Sequence, residues 1–113
     1  MSVQDDRYAV PSFDNRVAPR KRLAIPAILQ PANGKRISTM LRDLSLSGFS
    51  ASAMNRIPAG TACSLTLPDR EAMPARVVWW DGGLVGCAFD KSMGGVTYDA
   101  ILERWDAETN RRR

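Results

Sequence analysis

The feature that most constrains this chain is a succession of short apolar runs, each closed by turn-forming residues. The runs are Leu23 to Leu29, Ile37 to Leu44, Phe49 to Met54, Cys63 to Leu67, Ala75 to Trp80 and Leu84 to Phe89. Between them stand Asn33-Gly34, Ser47-Gly48, Pro58-Ala59-Gly60, Pro68-Asp69 and Asp81-Gly82-Gly83, which supply positive φ or a proline-fixed φ. Short strands at this spacing predict an all-β barrel or sandwich. The clearest hairpin joins Ala75–Trp80 to Leu84–Phe89 through Asp81-Gly82-Gly83, and the pair should be antiparallel. Pro26 places its strand at an edge or a bend, because proline cannot donate to a ladder. After Gly94-Gly95 the period changes: Tyr98, Ile101, Leu102 and Trp105 share one stripe, which predicts an amphipathic helix packed on the sheet.

With 113 residues, 44% of them hydrophobic and 25% charged, the chain is expected to form one globular domain. Residues 1–15 lack sustained periodicity and read as a flexible N-terminal arm able to order over a ligand; residues 108–113 read as a basic C-terminal tail. No apolar run approaches the roughly 18 residues needed to cross a bilayer, and Met1 to Asp6 lacks the basic and apolar regions of a secretory signal. A cytoplasmic location is the expectation.

The chain contains no histidine, which removes the Ser-His and Cys-His pairings of nucleophilic catalysis. Phosphate-binding glycine loops and carboxylate clusters at metal-loop spacing are also missing from the sequence. No catalytic residue, metal ligand or cofactor is therefore assigned. Cys63 and Cys87 fall inside apolar runs without CxxC spacing and read as buried free thiols. A binding site remains, and the net charge of +4 points to an anionic partner. The cations that border structure are Arg16, Arg20, Lys21 and Arg22.

Two segments carry the site. Arg16-Val17-Ala18-Pro19-Arg20 precedes the first strand, and Asp43-Leu44-Ser45-Leu46-Ser47-Gly48 lies at the turn between the second and third. Together they resemble the R-x-x-x-R and [DN]-x-S-x-x-G motifs of the PilZ domain family. The order of arginine segment, short strands, Gly-rich hairpin and closing helix resembles a whole PilZ domain over residues 16–107. The resemblance implies a small six-stranded antiparallel β-barrel with a C-terminal α-helix. It also implies a bacterial cyclic di-GMP receptor that changes conformation on binding and signals to a downstream partner protein.

The residues suit that ligand. Guanine N7 and O6 accept from the planar fork of a guanidinium, and charge-assisted bidentate pairs are the stronger class of hydrogen bond, so Arg16 and Arg20 can hold a base edge or a phosphate. Asp43 can accept from guanine N1–H and N2–H₂, Ser45 offers a hydroxyl, and Gly48 permits close approach. Lys21 and Arg22 are weaker candidates. The resemblance also suggests Trp79 as a stacking residue, whereas its parity with Ala75 and Val77 points it into the core and Trp80 outward. Without the arginines, Asp43 to Gly48 would read as an ordinary turn. The main alternative function is a PilZ-like adaptor acting by protein contact without nucleotide. A polynucleotide binder is disfavoured because aromatics are 7% of the chain and sit mostly at core-like positions.

Overall fold

The computed structural model describes residues 21–111, with side chains through residue 105. Arg16, Arg20 and the arm assigned to residues 1–15 lie outside the described residues, as do residues 112–113. The strands are β1 (Lys21–Pro31), β2 (Ile37–Leu44), β3 (Gly48–Ser52), β4 (Ala62–Thr66), β5 (Met73–Asp81) and β6 (Leu84–Phe89), followed by α1 (Gly95–Arg111). All pairings are antiparallel, and the strands close in the order β1-β2-β3-β6-β5-β4. Of the two architectures the strand pattern allows, the chain forms the barrel.

Alternation along the strands fills the interior. Ile25, Ala27 and Leu29 from β1 meet Leu65 from β4, Val77 from β5 and Val85 from β6, all buried. Each fully buried Leu or Ile contributes roughly 1.5–3 kcal/mol over its exposed state. Phe49 and Phe89 pack with ring centroids 5.3 Å apart in a tilted arrangement. The β5–β6 hairpin turns through Gly82 and Gly83, whose φ values of 58° and 90° lie where side chains other than glycine are strained. Of the stripe expected on α1, Ile101 is in the core with Tyr98 and Trp105 packed against it, while Leu102 is half-buried and outside that cluster. The helix continues to Arg111, into the stretch that the sequence reading gave to the tail.

Pro26 sits where its missing N–H costs little. The β4 ladder reaches β1 only from Ile28 onward, and β1 shifts register between Arg22 and Ile25, so Pro26 lies on a locally one-sided, bent stretch. Cys63 and Cys87 are free and buried, their sulfurs 4.0 Å apart. The hydrogen bond to Cys63, together with burial, pushes the Cys87 thiol far above its ordinary range. Cys87 is thus a protonated core filler at neutral pH.

Candidate functional site

The barrel departs from regular alternation at three places. Register shifts fall between Arg22 and Ile25 on β1, between Leu41 and Asp43 on β2, and between Val77 and Trp79 on β5. A bulge sets two residues of one strand against one of its neighbour and re-aims the side chains beyond it. On β2 strict alternation from the buried Leu41 would turn Asp43 inward. The extra residue Arg42 reverses that: Leu44 becomes the buried one, and Asp43 comes to the outer face beside an exposed Arg42.

The shifts also align a row of residues across five strands. Arg22 on β1 stands opposite Asp43 on β2, Asp43 opposite Ser50 on β3, Ser50 opposite Gly86 on β6, and Gly86 opposite Trp79 on β5. The neighbours of Ser50 and Gly86 along their strands, Phe49, Ala51, Val85 and Cys87, fill the interior, so the row lies on the outside. The Ser50 hydroxyl donates to Asp43 Oδ2 at 2.8 Å, which fixes the carboxylate. Arg22, Leu23, Arg42, Asp43, Ser50 and Leu84 line a cavity of about 290 Å³ at the β1 end of the row. Lys21, opposite Leu44, is exposed at the start of β1.

Ser45 and Gly48 have a different part from Asp43. Ser45 is fully buried. Its Oγ accepts from the Gly48 N–H at 3.1 Å and the Ser47 N–H at 3.3 Å, while its own N–H donates to the Gly48 carbonyl at 2.9 Å. The end of β6 and the segment beyond it hold the turn: the Phe89 N–H donates to Ser47 O and the Met93 N–H to Leu46 O. Gly48 is fixed by space, since a Cβ there would collide with the Cys87 carbonyl oxygen and lie 3.3 Å from Ala88 Cα. In this conformation Ser45 and Gly48 build the turn, and Asp43 is the member of the motif on the outer face.

The expectation for the two tryptophans is reversed. The β5 bulge breaks the parity that linked Trp79 to Ala75 and Val77. Trp80 packs against the core and its indole N–H donates to the Ala53 carbonyl at 2.9 Å. Trp79 instead lays its indole over Gly86, where a Cβ would strike the ring. Gly86 is therefore the buried seat of a half-buried aromatic ring on the outer face, with a carboxylate two strands away, roughly 10 Å.

Sequence reasoning missed Arg42, Ser50 and Gly86. Arg42 adjoins the motif, but alternation separates it from Asp43, and only the bulge unites them. Among the described residues no group of three or more His, Cys, Asp or Glu side chains is placed to hold a metal ion, and no helix is long and apolar enough to cross a membrane.

The described residues thus form a small closed barrel with a polar and aromatic strip on its outside. Residues 14–105 match the PilZ domain model, which covers most of the chain. The chain belongs to the PilZ domain family, a family of cyclic di-GMP receptor domains. No curated protein matches it.

Proposed function

We propose that this protein is a cyclic di-GMP receptor that binds the dinucleotide on the outer face of its barrel and passes the binding event to a partner protein. The observation that carries this reading is the row from Arg22 through Asp43, Ser50 and Gly86 to Trp79. It offers each chemistry a guanine nucleotide needs. Asp43, held by Ser50, accepts from a guanine Watson–Crick edge. Trp79, whose indole covers Gly86, offers its ring for a base to stack on, worth about 1–3 kcal/mol. Arg16 and Arg20, joined to β1 through Lys21 and Arg22, supply guanidinium forks for base edges and phosphates. Ser45 and Gly48 act by holding Asp43's strand end and the turn.

β1 begins at Lys21, next to Arg22 of this row, so ordering of the preceding arginine segment on bound dinucleotide would change the surface there. That change is the signal in this reading, and a ligand that orders the segment shares one equilibrium with whatever protein reads it.

Isothermal titration of cyclic di-GMP into the protein, with GMP as a control, tests the proposal. Micromolar or tighter binding is expected, weakened roughly tenfold or more in Arg20→Ala through loss of a charge-assisted contact. Absence of heat in the wild type would favour the adaptor that works by protein contact alone. A finer test uses Gly86→Ala. The new methyl displaces the Trp79 indole, a side chain rather than backbone, so affinity should fall about tenfold while the urea midpoint moves little.

A further inference from the structure

We infer that Arg42 is a further binding residue of this face and takes a phosphate of the dinucleotide, an inference that rests on the receptor reading above. Arg42 is the extra residue of the β2 bulge, and the same distortion that turns Asp43 outward puts Arg42 next to it. Both line the cavity that Arg22 closes from β1. Among the described residues neither Arg22 nor Arg42 has an ion-pair partner. Two guanidinium groups therefore share a concave patch with a single carboxylate, which favours an anion there.

The division of labour follows from donor and acceptor types. Asp43 is acceptor-only and suits the N–H edge of a guanine, whereas Arg42 is donor-only and suits a phosphate oxygen. In a dinucleotide the phosphate lies one sugar away from the base. A base edge on Asp43 with its ring toward Trp79 leaves that phosphate over the strand end where Arg42 projects. Arg42 is exposed, so no part of the core depends on it.

The test titrates cyclic di-GMP into the full chain as wild type, Arg42→Ala and Arg42→Lys, at low salt and near physiological salt. The expected result is affinity about tenfold weaker in Arg42→Ala, with partial recovery in Arg42→Lys, because a point charge restores attraction but not a bidentate fork. The salt dependence should also be shallower in Arg42→Ala, since one phosphate contact is lost. Urea midpoints should agree across the three proteins. Wild-type binding with Arg42→Ala indistinguishable from it, or with a weaker Arg42→Ala whose urea midpoint has also dropped, overturns the role of Arg42 and leaves the receptor intact. Silence from the wild type removes the receptor reading, and this inference falls with it.

Discussion

Gly48→Ala is expected to lower the stability of the barrel by about 3 kcal/mol, the upper range for forcing a methyl into a packed interior. In thermal unfolding that corresponds to a fall on the order of 10 °C for a domain of this size. The cause is the identity of the atoms that the methyl meets. They are the Cys87 carbonyl oxygen and Ala88 Cα, backbone of the strand paired with β3, and no rotamer change moves them. Relief requires β3 and β6 to separate, which loosens the Phe49–Phe89 contact and the hydrogen bond from Phe89 N–H to Ser47 O. The comparison with Gly86→Ala isolates the reason. That methyl also collides, but with an indole that can turn away. Chemical denaturation of both variants should show a large loss in the first and a small one in the second; equal losses would contradict this account.

Asp43→Ala is expected to weaken cyclic di-GMP about a hundredfold, because it removes a charged acceptor able to take two donors of one guanine edge. It also leaves the nearly buried Ser50 hydroxyl without its acceptor, at a stability cost of about 1 kcal/mol. Asp43→Asn separates the two effects. An amide oxygen still accepts from Ser50, so stability should be close to wild type. It brings N–H₂ donors toward the donor edge of guanine, so part of the affinity should go. Titration calorimetry alongside urea unfolding checks both variants. Wild-type affinity in Asp43→Ala would place the dinucleotide elsewhere on the barrel.

Much of the architecture was legible because it rests on local chemistry. Apolar alternation between turn residues marked every strand, and the 3.6-residue stripe of Tyr98, Ile101 and Trp105 marked α1. Asp43 was legible as a candidate through resemblance. What alternation could not supply was facing near the bulges. A bulge depends on how two strands settle against each other, and no residue type announces it, so Trp79 and Trp80 were assigned to the wrong sides. For the same reason Arg42 was overlooked and Ser50 was read only as part of a strand. The different placement of Ser45, Gly48 and Asp43 was not legible, because a motif shows which residues recur together, not which of them face outward. Burial separates them: Ser45 is fully enclosed, while Asp43 reaches the outer face.

The central claim is a location: cyclic di-GMP lies across the outer face from Asp43 to Trp79. Amide and indole chemical-shift mapping by NMR during titration with cyclic di-GMP tests it most directly. The account predicts the largest changes at Arg42, Asp43, Ser50, Gly86 and the Trp79 indole N–H, with little change at Thr39, Leu67 and Glu71 around the apolar cavity of about 700 Å³ at the start of β2. Changes centred on that cavity, or no changes at all, would contradict it.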